Sequence, residues 1–261
     1  MDKLPPIAGW NWVKEGFALF RKQPAEISTL FLAYMFLMMA VGFLPLLGQV
    51  LPLVLIPVFS MAFMQACLQI EQGKKVYPNL LLAGFRSPAV KRLLQLGVLY
   101  LVAAVIAVAA SAVIDGGMFW EIMSGQKALD TDAIRGSNLS LSMMFSAAVY
   151  TPAAMAFWYA APLIAWQDMG IGKAIFYSFF AVKRSGMAFL VYGLSWVLIG
   201  VILPAVLSSI VALVVGKAFA VMIVLLTVSL VLTVVMYCSF YPTYTHVFGR
   251  PDSRTVPSLP Q

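Results

Sequence analysis

From Ile27 to Ile70 the chain runs 44 residues without an Asp, Glu, Lys or Arg. A charge at the centre of a membrane helix costs about 2.5–3.5 kcal/mol, and ~20 apolar residues cross the hydrocarbon core. The run therefore has the length of two spans. A break is expected at Pro45-Leu-Leu-Gly48-Gln49, with Pro52 close behind, because proline removes a backbone donor and clashes with the preceding turn. This predicts a tight hairpin with helices near 27–47 and 50–71.

The same logic extends along the chain. A third span is bounded by Lys91-Arg92 and Asp115 (93–114), and a fourth lies within Gly136–Gln167 (141–166). A fifth occupies 187–215 and a sixth 218–245. Pro57, Pro152, Pro162, Pro204 and Pro242 fall in or near spans, where neighbouring helices can satisfy the carbonyls they free. The expected fold is all-α, a polytopic membrane bundle of six transmembrane helices with short amphipathic helices on the cytoplasmic face. Residues 1–249 would form a single domain and 250–261 a disordered cytoplasmic tail.

Composition agrees. Hydrophobic residues make up 62% of the 261 and charged residues 10%, against about 45–50% and 25% in soluble domains. That excludes soluble enzymes, nucleic-acid modules and secreted disulfide scaffolds. The net charge of +7 is explained by placement. Fourteen basic residues fall in the N-terminal segment, the second and fourth loops and the tail. Only Lys127, Arg135 and Lys217 fall on the other face. The positive-inside rule then puts both termini in the cytoplasm. The first 26 residues mix Asp2, Lys3, Lys14, Glu15, Arg21, Lys22 and Glu26 without an apolar core, so a cleavable signal peptide is not expected.

Three cytoplasmic segments look alike: Gly9–Lys22, Leu80–Arg92 and Gly172–Arg184. Each is a short amphipathic stretch that closes on adjacent basic residues and leads into a span. In the first, Trp10, Val13, Phe17 and Phe20 recur at helical spacing and predict an apolar stripe sunk into the headgroup region. The pairs Arg21-Lys22, Lys91-Arg92 and Lys183-Arg184 are candidate contacts for anionic headgroups of the cytoplasmic leaflet. Read most plainly, such pairs anchor topology. The repetition suggests three units, each a lead helix followed by a two-helix hairpin.

Chemistry inside the membrane normally keeps ionisable residues within the spans. Here His246 stands near the inner end of helix six, with Glu71 and Asp168 at the inner ends of helices two and four. Gln65 and Gln69 share one side of helix two, and Tyr237, Tyr241 and Tyr244 recur along helix six. Gln65, Gln69, Glu71, Asp168, Tyr241 and His246 are the candidates for an inner polar vestibule, or equally for interhelical hydrogen bonds. Asp168 is expected to cap the helix beginning near Gly172 or to pair with Lys173. The lone His246 has no acidic partner nearby in the sequence, so no nucleophilic arrangement can be assembled. Cys67 and Cys238 lie in apolar stretches and read as buried small hydrophobes. No catalytic residue, metal site or cofactor is expected. Small residues on helices three and four (Ala103-Ala104, Ala107, Ala109-Ala110 and Ser111; Ala147-Ala148, Ala153-Ala154, Ala160-Ala161) predict a tight seam between them.

Certain motifs carry a resemblance. These are Gly9-Trp-x-Trp-Val-x-x-Gly16-Phe-x-Leu-Phe-Arg-x-x-Pro24, Pro45-Leu-x-Gly48, Glu71-x-Gly73-x-x-Val76-x-Pro78, Ala161-Pro-Leu, Ala174-x-x-x-Ser178 and the closing Tyr-x-x-x-Phe248-Gly. With them the chain resembles a betaproteobacterial family of six-helix inner-membrane proteins. More loosely, it is similar to YciC-like membrane proteins and to the membrane domain of some glycerophosphodiesterases. Those looser relatives often carry Arg-Asp where this chain has Thr245-His246, so no role transfers to that pair. The resemblance implies six inner-membrane helices and no assigned reaction. The expected role is non-enzymatic: a membrane-organising, lipid-contacting or accessory envelope protein whose partners are membrane lipids and not nucleic acid. The alternative is a transporter or channel for a neutral or lipophilic solute, with a path by Gln65, Gln69 and Tyr241.

Overall fold

The computed structural model describes residues 3–44, 47–126, 138–216 and 218–251. The elements in order are α1 (Ala8–Lys22), α2 (Pro24–Gly42), α3 (Leu47–Glu71), a 3-10 turn (Pro78–Leu82), α4 (Ala83–Arg86), α5 (Val90–Asp115) and α6 (Met118–Met123). They continue with α7 (Leu139–Phe157), α8 (Ala160–Trp166), α9 (Ile171–Arg184), α10 (Gly186–Val197), a π-helical turn (Leu198–Ile202), α11 (Leu203–Val215) and α12 (Ala218–Phe248). Among the described residues there is no strand, and six helical stretches are long and apolar enough to cross a membrane. The all-α six-span fold is as expected, with shifted ends. α5 starts at Val90, which brings Lys91 and Arg92 into its first turn, and α12 reaches Phe248. Of the expected tail, 252–261 lies outside the described residues, as do Lys127, Arg135 and Lys217. Arg250 belongs to the folded part and pairs with Glu71.

The three units are present, and they interlock. The hairpins are α2 with α3, α5 with α7–α8, and α10–α11 with α12. Each lead segment packs on the hairpin of another unit. The turn 78–82 and α4 pack on α2 and α3, α9 packs on α7 and α8, and α1 packs on α10 and α12. The chain is thereby closed into a ring, its first helix clasping its last. Inside a bilayer there is no hydrophobic drive between helices, so close approach and hydrogen bonds must hold such a ring. Glycines supply the approach. A Cβ on Gly9 or Gly84 would collide with the carbonyls of Ala188 or Val58, and one on Gly16 would lie 2.7 Å from the Ser239 Cβ. Hydroxyls supply the bonds. The Tyr100 hydroxyl donates to the Phe157 carbonyl (3.0 Å), the Tyr159 hydroxyl donates to the Thr243 carbonyl (3.0 Å), and Tyr192 meets Ser239 at 2.6 Å.

This packing corrects the expected interfacial helices. The stripe through Trp10, Val13, Phe17 and Phe20 is split: Val13 is buried, Phe17 and Phe20 are half-buried against the core, and only Trp10 is exposed. α1 buries Ala8, Gly9, Trp12, Val13, Gly16 and Leu19, while Trp10 is exposed. Small residues at 9 and 16 let α1 press against α10 and α12, and that rotates the larger Trp10 outward. Likewise α9 buries Ala174, Ser178, Ala181 and Val182 and presents Phe176, Tyr177 and Phe180 outward. Only these outer faces are placed to meet lipid.

Helix four is broken rather than continuous. The Tyr159 N–H donates to the Ser178 Oγ (2.9 Å), and the Ser178 hydroxyl donates to the Met155 carbonyl (2.9 Å). Met155 and Tyr159 are four residues apart, so the hydroxyl of α9 stands inside what would be a helical hydrogen bond. Pro162, which lacks an N–H for the Trp158 carbonyl, favours the same break. In helix five the π-turn Leu198–Ile202 immediately precedes Pro204 and absorbs its clash. The seam between helices three and four exists, and it buries Ala107, Ser111, Ser142 and Ser146. Ala109, Ala147 and Ala148 are exposed, so serines contribute as much to the contact as the paired alanines.

Candidate functional site

Where α1, the end of α3 and the end of α12 converge, they enclose a cleft of about 280 Å³. Its polar walls are Glu15, Lys22, Glu71, Tyr241, His246 and Arg250, and Leu19 and Pro242 form part of its apolar side. The clasp between α1 and α12 builds it. Trp12 is fully buried against Phe189 and Tyr192, with ring centroids 5.2 and 5.8 Å away. Its indole N–H donates to His246 Nδ1 at 3.0 Å. Three residues further along α1, Glu15 places a carboxylate oxygen 3.3 Å from His246 Nε2.

These contacts fix the imidazole. An indole N–H only donates, so Nδ1 is an acceptor and the ring proton sits on Nε2, facing Glu15. Both ring nitrogens are thus engaged, and neither is turned toward a hydroxyl or thiol as a nucleophile's base would be. On the opposite wall Glu71 accepts from the Tyr241 hydroxyl at 2.6 Å and from the Arg250 guanidinium at 2.7 Å. The loop after α3 is held nearby by Gln23, whose amide donates to the Lys74 carbonyl (2.7 Å) and accepts from the Val76 N–H (3.0 Å).

Only half of the expected vestibule assembles. Glu71, Tyr241 and His246 share the cleft; Gln65, Gln69 and Asp168 do not line it. At 100° per residue, Glu71 lies about 200° around the helix from Gln69, so the two face different neighbours. Gln65 lies a turn and a half deeper and is buried in the core. Of Gln65, Gln69 and Tyr241, only Tyr241 lines the cleft. Just below, Phe31, Tyr34, Phe63 and Tyr237 pack ring against ring, with Phe63 and Tyr237 at 4.5 Å. Asp168 follows α8 in a left-handed conformation (φ 51°) and forms an ion pair with Arg92, not with Lys173. The Arg92 guanidinium also donates to the Asp168 and Met169 carbonyls at 3.3 and 3.1 Å. Lys173 instead lies over the Tyr177 ring, 5.7 Å from its centroid.

Of the headgroup candidates, Arg21, Lys22, Lys91, Lys183 and Arg184 are exposed, while Arg92 is half-buried and committed to Asp168. The expectation that His246 lacks an acidic partner is corrected by Glu15. Glu15, Trp12 and Arg250 join the site through contacts that local sequence patterns barely mark. Trp12 is 234 residues from His246, and the only trace of the pairing is the Trp12–Gly16 spacing that turns Glu15 to the same side.

Compared with known proteins, no family model and no solved structure matches the chain. A probable inner membrane protein of Burkholderia thailandensis is 40% identical over 246 residues, which cover 92% of this chain and 91% of that protein. The chain belongs to the family of that inner membrane protein. With six spanning helices, it is a multi-pass integral protein of the inner membrane.

Proposed function

We propose that the protein is a lipid-contacting, membrane-organising component of the inner membrane that carries out no reaction of its own and keeps both termini in the cytoplasm. The observation that carries this reading is Lys91. Cations at the carboxyl ends of helices are favourable with the helix dipole, which accounts for Arg21 and Lys22 on α1 and Lys183 and Arg184 on α9. Lys91 and Arg92 stand at the amino end of α5, where the dipole opposes them. Arg92 is compensated by Asp168; Lys91 is exposed at the mouth of a span. Phosphates of an anionic leaflet supply the missing compensation, at about 1 kcal/mol per basic residue.

The cytoplasmic assignment rests on the fourteen-to-three distribution of basic residues. The looser similarity to YciC-like proteins and to glycerophosphodiesterase membrane domains is compatible with a lipid-facing role. The test replaces Arg21, Lys91, Lys183 and Arg184 by Gln. Lys22 is left in place because it lines the cleft, and Arg92 because its loss would strand Asp168. Native mass spectrometry of protein extracted from mixed anionic and zwitterionic membranes should then give a lower share of bound anionic lipid than wild type. An unchanged share would overturn the proposal.

A further inference from the structure

We infer that the cleft between α1, α3 and α12 is a binding site for a zwitterion that joins a phosphate ester to an ammonium group, as in the phosphoethanolamine headgroup of a membrane lipid. It rests on the lipid-contacting role proposed above but concerns a single stoichiometric site rather than the annulus.

The cleft is lined by two carboxylates, Glu15 and Glu71, and by two basic side chains, Lys22 and Arg250. In the neutral form that accepts the Trp12 N–H at Nδ1, His246 adds no charge. The site is therefore neutral but carries both signs. A ligand with a net charge would leave that charge uncompensated in a partly desolvated space, whereas a neutral ligand carrying both signs would not.

The individual groups have capacity to spare. Arg250 uses one amino group on Glu71 and, with five N–H donors in a planar fork, keeps others for a phosphate. Lys22 has no carboxylate partner among the described ion pairs and lines the same cleft, so it can join Arg250 on the phosphate. Glu15 touches His246 through one oxygen at 3.3 Å, and its side chain is 45% exposed, which leaves the second oxygen for an ammonium.

Size and depth agree. A cavity of about 280 Å³ lies at the lower edge of the ~300–1,000 Å³ of small-molecule sites, so it takes a headgroup and not a lipid's chains. Its walls are the ends of two spans and a helix packed across them, at the level where headgroups lie. Tyr241 closes the floor by holding Glu71.

The test uses the full-length protein in nanodiscs of equal parts phosphatidylethanolamine, phosphatidylglycerol and phosphatidylcholine, with bound lipid read by native mass spectrometry. Wild type should retain one phosphatidylethanolamine in preference to the other two lipids after the annular lipids are stripped. Glu15→Gln combined with Lys22→Gln removes one charge of each sign. It should weaken retention about tenfold or more, the equivalent of about 1.5–3 kcal/mol for losing contacts to charged groups. Glu15→Gln alone keeps an acceptor for His246 and should retain the fold, with unfolding temperature near wild type, while losing the ethanolamine preference over phosphatidylglycerol. Displacement of the retained lipid by glycerophosphoethanolamine, together with uptake of that compound by delipidated protein, would support the site and make its source soluble. Preference for phosphatidylglycerol, or a bound ratio equal to the bulk in wild type, would overturn it. The four-residue Gln variant that tests the annular role leaves the cleft intact, so either idea can fail without the other.

Discussion

At the scale of single residues the molecule depends on contacts between positions far apart in the chain. Trp12, Glu15 and His246 form one constellation through the α1–α12 clasp, and Gly16 permits it by letting Ser239 approach its backbone. Gly16→Ala places a methyl 2.7 Å from the Ser239 Cβ and 2.9 Å from its Cα. The neighbour is backbone and cannot yield, so the clasp should lose about 1–3 kcal/mol, the usual cost of overpacking. Thermal unfolding in detergent should register the loss, while Gly193→Ala, with open space around it, should behave as wild type. Such contacts are barely legible in a sequence. The residue types of the cleft are visible in the sequence, and Glu71, Tyr241 and His246 come together in it. Glu15 could not be paired with His246 because nothing local records which helix α1 clasps. Asp168 lies apart from the cleft because, in a left-handed conformation after α8, it turns to Arg92.

At the scale of elements, spans are legible because the bilayer imposes a length and a charge penalty that any sequence must obey. The hairpin break between α2 and α3 and the three lead segments follow from the same rules. The faces of α1 and α9 do not, because periodicity in aromatic residues marks an apolar stripe without saying whether lipid or protein covers it. The interruption of helix four is the sharpest example. Pro152 and Pro162 both suggest a kink, but its position depends on Ser178, which enters from α9. Ser178→Ala leaves the Met155 carbonyl and the Tyr159 N–H without their shared partner, at a cost of about 1–3 kcal/mol. Unfolding of this variant should fall clearly below wild type, whereas Ser208→Ala, whose exposed hydroxyl only folds back on its own helix, should be close to neutral. Equal stability of the two variants would remove Ser178 from its bridging role.

At the scale of the whole molecule, three lead segments each clasp another unit's hairpin, and α1 closes the series on α12. That closure brings α1, the end of α12, the cleft and the exposed basic side chains of the lead segments to one face. The function proposed for the protein requires this face to meet the anionic cytoplasmic leaflet. The most direct measurement is sidedness. Single cysteines at Arg21 and at Gln126, both exposed, can be labelled with a membrane-impermeant maleimide in intact cells and in inverted membrane vesicles; the native Cys67 and Cys238 are buried. Arg21→Cys should react only in inverted vesicles, and Gln126→Cys only in intact cells. Labelling of Arg21→Cys from outside the cell would set the basic face against the wrong leaflet and contradict the account.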